Sequence, residues 1–160
     1  MPMTREEKIR HCDEMVIRTL NQRRYHETKN YWHEDMVWRG PHGWGTVIGI
    51  DNFINKVIGP QGQAFPDYEA NNVMFLVDGD YVSARGYFTG THSDTFLGIP
   101  ATGRVVSVGF SDFWRFEGDK LAENWVEVDN YGFLKQVGTI AEQAHLSDTT
   151  PFSLDKVKAK

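Results

Sequence analysis

Asp112 is the residue of this chain whose setting most invites chemistry. It stands in the stretch Arg104 to Glu117. There the even positions read Val106, Val108, Phe110, Asp112, Trp114, Phe116, and the odd positions Ser107, Gly109, Ser111, Phe113, Arg115. Strand alternation sends successive side chains to opposite faces, so a carboxylate falls in the middle of an apolar row. Such a group must be paired, hydrogen-bonded, or protonated with a raised pKa. It is therefore either a structural Asp satisfied by a neighbouring Arg or tryptophan N–H, or a general acid/base. Proton abstraction next to a carbonyl needs a carboxylate that burial has tuned toward neutrality. In the second case Trp38, Phe110, Trp114 and Trp125 are candidate apolar walls. His92, His42 and Asn124 are candidates to stabilise an enolate oxygen.

Other motifs carry less. Gly43-Trp44-Gly45 with Gly49 has the wrong spacing for a dinucleotide loop and no βαβ unit around it. His33, Glu34 and His42 form no His-x-His or Glu-x-x-His pair, so no bound metal is expected. No Ser sits in a nucleophile elbow, and no helix carries a His-Glu-x-x-His motif. Cys12 lies on an apolar helical stripe and reads as core packing rather than a nucleophile.

The elements that must position Asp112 follow from the patterning. Thr4 and Glu7 form a capping box ahead of Ile9, Cys12, Met15, Val16 and Leu20 at helical spacing, predicting a first helix to about Arg23. A short helical piece is expected over Tyr25 to Trp32, then short strands at Met36-Val37-Trp38 and Thr46-Val47-Ile48. Asp51 is the expected cap of a second helix carrying Phe53, Ile54, Val57 and Ile58 and ended by Gly59-Pro60. Four long strands are predicted over Tyr68–Val77, Tyr81–His92, Arg104–Glu117 and Lys120–Asp129. Turn residues at Asp78-Gly79-Asp80, Leu97 to Gly103 and Gly118-Asp119 separate them. Asn130 onward turns helical, and the tail beyond Ser147 frays. Ala84, Gly86 and Gly90 share a strand face with Val82, Phe88 and His92; interior glycines mark a bend or a close approach. Helices first and antiparallel strands afterwards is the α+β order.

The hairpin between the last two strands decides which groups meet. A bare Gly118-Asp119 turn sets Asp112 opposite Trp125, with Glu127 next along that face. A three-residue loop, or its equivalent with a bulge, sets it opposite Val126, flanked by Asn124 and Val128. A one-residue slip exchanges the faces. Burying Glu123, Glu127 and Asp129 together would be costly, so the second register is expected.

Bulk properties exclude whole classes of function. The 160 residues fit one domain, and 40% hydrophobic with 24% charged residues is ordinary for a globular protein. A net charge of −5 argues against nucleic acid or anionic lipid as partners, and Arg23-Arg24 and Lys156, Lys158 and Lys160 read as solvated surface. No apolar run approaches the ~20 residues of a membrane span, and the charged start has no secretory h-region. With one Cys and no internal disulfide, a cytoplasmic protein is expected.

Several pieces in order resemble the SnoaL-like polyketide cyclases of the nuclear-transport-factor-2-like superfamily. They are Phe65-Pro66-Asp67, Gly90-Thr91-His92, Gly98-Ile99-Pro100-Ala101-Thr102-Gly103-Arg104, Phe113-Trp114-Arg115-Phe116 with Lys120-Leu121, and Asp129 with Leu134-Lys135-Gln136-Val137-Gly138. The resemblance implies one domain over residues 1–160, with a core over about 4–138 and a tail over 139–160. Its fold would be a cone of N-terminal helices packed on a strongly curved, mixed, mainly antiparallel sheet that encloses a pocket. It also implies a homodimer, here through the face of Ser107 and Ser111. The implied activity is cofactor-independent acid–base closure of a ring, or a related isomerisation, on a hydrophobic small molecule.

Aligned on Lys120 and Gln136-Val137-Gly138, the family's catalytic Asp falls at Val126 and its pocket His at Asp112. Asp129 matches a family Asp and caps the last helix; His92 matches a recurrent His with either a catalytic or a structural role. Trp38 replaces a polar pocket residue. Two readings stand: an enzyme using Asp112 and His92, or a binding member of the same fold without catalysis.

Overall fold

A computed structural model of the chain describes residues 2–141. The frayed tail expected beyond Ser147 and the lysines at 156, 158 and 160 lie outside them. Helix α1 (Arg5–Met15) begins as predicted: Thr4 Oγ1 accepts from the Glu7 amide at 3.2 Å, and Glu7 Oε2 accepts from the Thr4 amide at 2.8 Å. Two of the four orphan donors of the first turn are thereby satisfied. Its buried stripe, Cys12 and Met15, passes into a wider π-type turn over Val16–Asn21. Asn21 closes that turn onto the sheet, donating to the Ala70 carbonyl at 2.9 Å and accepting from its amide at 2.8 Å. A 3₁₀ turn (Tyr25–Glu27) and the short α2 (Thr28–Tyr31) follow.

Strand β1 (Trp32–Arg39) is longer than the expected Met36-Val37-Trp38, because polar His33-Glu34-Asp35 hides its alternation. After β2 (Thr46–Ile48) the second helical run departs from expectation at both ends. Gly49, at φ 85°, is the cap of α3 (Ile50–Phe53), and Asp51 lies inside the first turn. Nor does Gly59-Pro60 end the run. A π-type turn (Ile54–Ile58) leads into α4 (Gly59–Ala64), with Pro60 in its first turn.

The remaining strands match their predicted spans to within a residue or so: β3 (Glu69–Asp78), β4 (Tyr81–Thr91), β5 (Val105–Glu117) and β6 (Lys120–Val128). Asp129 then caps α5 (Asn130–Gln136), its side chain accepting from the Gly132 amide at 2.8 Å. The curled, open sheet runs β2-β1-β6-β5-β4-β3; β1 is parallel to β6 and every other pairing is antiparallel. Its inner face carries Val82, Ala84 and Phe88 from β4 and Val106, Val108, Phe110, Trp114 and Phe116 from β5, all buried against Met15, Val16, Phe53, Ile58 and Phe65. Gly86 is a close approach: a Cβ there would collide with the Asn71 carbonyl and the Phe110 ring. No helix of the described residues is long and apolar enough to cross a membrane.

Two turns bear on the site. Glu117 pairs with Lys120 and Phe116 with Leu121, while Arg115 pairs with Glu123, so a bulge at Ala122 shifts the register. Asp112 consequently faces Val126, as the bulged alternative predicted. In the segment after β4, Phe96 and Ile99 exchange backbone bonds of 3.0 and 2.9 Å around Leu97 (φ 51°) and Gly98 (φ 78°). Positive φ at both central residues is the pattern of a type I′ turn, which favours Asn, Asp or Gly. Leucine in the left-handed region costs about 1–2 kcal/mol.

Candidate functional site

The bulged register puts Phe110, Asp112 and Trp114 of β5 on one face with Asn124, Val126 and Val128 of β6. These six line a cavity of about 80 Å³ together with Trp32 and Trp38 of β1. Met15, Val16 and Leu20 roof one side, and Phe53, Val57, Ile58 and Gln61 another; Tyr68, Ala70 and Phe88 complete the wall. Trp38, Phe110 and Trp114 thus line one cavity with Asp112.

Asp112 is half-buried and lines this cavity. Its polar contact is with an uncharged amide: Asn124 Nδ2 donates to Oδ1 at 2.9 Å, and also reaches the Phe113 and Trp125 carbonyls at 3.2 Å. Among the described residues no cation pairs with it. Arg85 is spent on the Gly86 and Phe110 carbonyls, and Arg115 on Glu117 and Glu123. Loss of water therefore dominates, raising the Asp112 pKa from 3.8 to about 7 against the lowering effect of the Asn124 bond. Burial, and secondarily the negative charge of Asp112, raises the Cys12 thiol and the Tyr68 phenol as well, so both lie within its field.

Three predicted site residues stand elsewhere. His92 shares the inner face but lies eight positions beyond Ala84, the partner of Asp112, or roughly 26 Å along the strand. There it packs against Phe65 and Phe133, with Nδ1 3.0 Å from Thr102 Oγ1, and burial lowers its pKa. His42 is exposed on the loop between β1 and β2 and does not line the cavity. Trp125 points to the outer face, where it meets Tyr81 and the Arg39 guanidinium, because the bulge fixes odd positions of β6 outward there.

Sequence patterning missed Trp32, Trp44, Gln61 and Tyr68. Tyr68 carried a signal, since Phe65-Pro66-Asp67 brings it to the start of a strand. Trp44 and Gln61 depend on which way a loop and a helix fold over the sheet, and Trp32 on β1 beginning earlier than its alternation shows. Trp32 is buried at 1% exposure, and its Nε1–H has no acceptor among the described residues. Also among the described residues, no three His, Cys, Asp or Glu side chains cluster as a metal site. Chemically, the cavity offers one carboxyl poised near neutrality, the amides of Asn124 and Gln61, and Tyr68 and tryptophan side chains in otherwise apolar walls. Such a set can move a proton and hold a developing oxyanion.

Outside the cavity lies a larger depression of about 710 Å³, which shares Trp38, Trp44 and Val57 with it. Trp44 thus borders both spaces, edge-on to Phe96 at 5.6 Å between centroids.

The sequence profile of the SnoaL-like polyketide cyclase family matches residues 10–137. No curated protein matches the chain. Among solved structures, TsrD from Streptomyces laurentii is 26% identical at TM-score 0.77, covering 86% of this chain and 99% of its own. AclR from Streptomyces galilaeus, described as a hydroxylase candidate, is 26% identical at TM-score 0.73, covering 87% and 85%. IdmH from Streptomyces antibioticus, described as a polyketide cyclase candidate, shares the fold at 24% identity and TM-score 0.68, covering 78% and 94%.

Proposed function

This chain belongs to the SnoaL-like polyketide cyclase family, and on that premise we propose that it catalyses cofactor-independent acid–base chemistry on a hydrophobic carbonyl compound, with Asp112 as general base. One observation carries the proposal: a carboxyl without an ion pair, walled by aromatic rings and raised to about pH 7 by its burial. Asp112 removes a proton from the carbon next to a carbonyl, and the C–H electron pair becomes the enolate. Tyr68 and Trp32, which line the cavity, would supply donors to the enolate oxygen; Asn124 orients the base. The enolate carbon then either attacks a second carbonyl of the same molecule, closing a ring, or regains the proton at another position. In both cases Asp112 returns the proton it took.

The family alignment places the catalytic Asp at position 126, which is Val here. Asp112 faces Val126 directly in the antiparallel pair. Side chains so paired lie about 5 Å apart at Cβ, so a carboxylate moved across the pair still enters the same cavity. This supports a relocated base. The rival reading, a binding protein without catalysis, draws on the small size of the cavity, since ligand pockets usually span about 300–1,000 Å³.

The decisive experiment is deuterium exchange into the α-carbon of small ketones in D₂O, followed by NMR. Exchange by the wild type and its loss in Asp112→Asn are expected. Equal rates in both proteins would remove Asp112 from the chemistry.

A further inference from the structure

The geometry points to a second binding subsite at the cavity mouth, which holds the elongated apolar body of a substrate whose carbonyl head enters the inner cavity, with Leu97 as a specificity-determining residue. The inference rests on the proposed reading only in placing the carbonyl end beside Asp112.

Leu97 is the starting observation. It occupies the first central position of a tight turn at φ 51°, where Gly, Asn or Asp would sit without strain, and its side chain is 51% exposed. The fold gains nothing from it there. The turn is held by the Phe96–Ile99 backbone bonds, and it is anchored by the buried Phe96 ring among Phe65, Trp44 and Phe133. A strained, half-exposed apolar residue that its own turn does not need points to a role outside folding.

Its surroundings indicate the role. Leu97 lines the outer depression with Ile48, itself 60% exposed, and with Trp44, Val57, Pro60 and Phe96. This bowl, whose lining also includes Thr46, Asn52, Lys56 and Thr95, adjoins the Asp112 cavity across their shared residues Trp38, Trp44 and Val57. The inner space of about 80 Å³ admits a small head, whereas the outer one of about 710 Å³ admits several times that. The substrate class that fits both is a long hydrophobic molecule with its reacting carbonyl near one end.

The test uses the series of 2-alkanones from 2-butanone to 2-undecanone, with affinities measured by calorimetry on the wild type, Leu97→Gly and Leu97→Asn. Wild-type affinity should climb with chain length across the whole series, by roughly threefold or more for each buried methylene. Both variants should bind the longest ketones about tenfold more weakly, bind 2-butanone unchanged, and melt at the same temperature as the wild type or higher. Three results would overturn the inference: affinity that levels off at the shortest chains, equal losses for short and long ketones, or a lower Tm that makes Leu97 a packing residue. A change in sedimentation with unchanged ketone affinity would instead assign the surface to a second copy of the chain. Because binding is read without turnover, loss of the proton-exchange activity alone would sink the acid–base reading and leave the mouth subsite standing.

Discussion

Asn124 Nδ2 stands 2.9 Å from Asp112 Oδ1, and these two residues sit two rungs apart in the β5–β6 pair, side by side on its inner face. The amide that orients the carboxyl is thus supplied by the bulge at Ala122, which turns Asn124 to the inner face that β5 alternation gives Asp112. An amide partner leaves the carboxyl free to take up a proton, which an arginine would oppose.

The choice of face is testable by substitution. Asp112→Asn should lower proton exchange from ketones by 10²-fold or more, the usual contribution of a general base. Glu127→Gln, exposed on the outer face opposite Ser111, should keep most of the rate. The reverse pattern would reassign the chemistry to the outer face.

Stability should depend on pH through the same group. The folded pKa of about 7 exceeds the ordinary 3.8, so the folded state binds the Asp112 proton more tightly than the unfolded state does. Its contribution is therefore favourable at low pH, declines between about pH 4 and 7, and is constant above. Asp112→Asn removes this decline. The variant should gain on the wild type by up to about 4 kcal/mol between pH 4 and pH 8, less whatever water in the cavity screens. Urea midpoints at the two pH values measure it, and an unchanged gap would place the carboxyl in water.

Asn124 lowers the Asp112 pKa by its hydrogen bond. Asn124→Ala should shift the rising limb of the pH–rate profile upward, because the base would then lose its proton only at higher pH. A profile that fell in amplitude without moving would make Asn124 a packing residue.

Asp129 is expected to act through its cap alone. Asp129→Ala removes the bond to the Gly132 amide and should cost about 1 kcal/mol of stability. The exchange rate per folded molecule should not change; a lost rate at intact stability would give Asp129 a part in the reaction.

Association through the outer face of β5 is a further expectation. Ser107, Ser111 and the half-exposed Phe113 lie on that face. Sedimentation at micromolar concentration should give a homodimer, and Phe113→Glu should shift it to the monomer. A monomeric wild type would end this proposal.

Much of the frame was legible in the residues themselves. The Thr4–Glu7 box, the Asp129 cap and the alternation of β5 are local features, and each acts within a few residues of where it is read. The inward face of Asp112 was legible for the same reason, because burying Glu123, Glu127 and Asp129 together would have cost too much. Membership of one site was not. His92 and Asp112 share a strand face by pattern, yet alternation carries no information on distance along a curled sheet, and they end far apart. Trp125 and Val126 are adjacent in sequence, and only the bulge at Ala122 decides which of them sees the cavity. Trp44 and Gln61 entered the site because a loop and a helix fold back over the sheet. Such long-range packing leaves no period in the chain; it exists only once the apolar faces have been buried against each other.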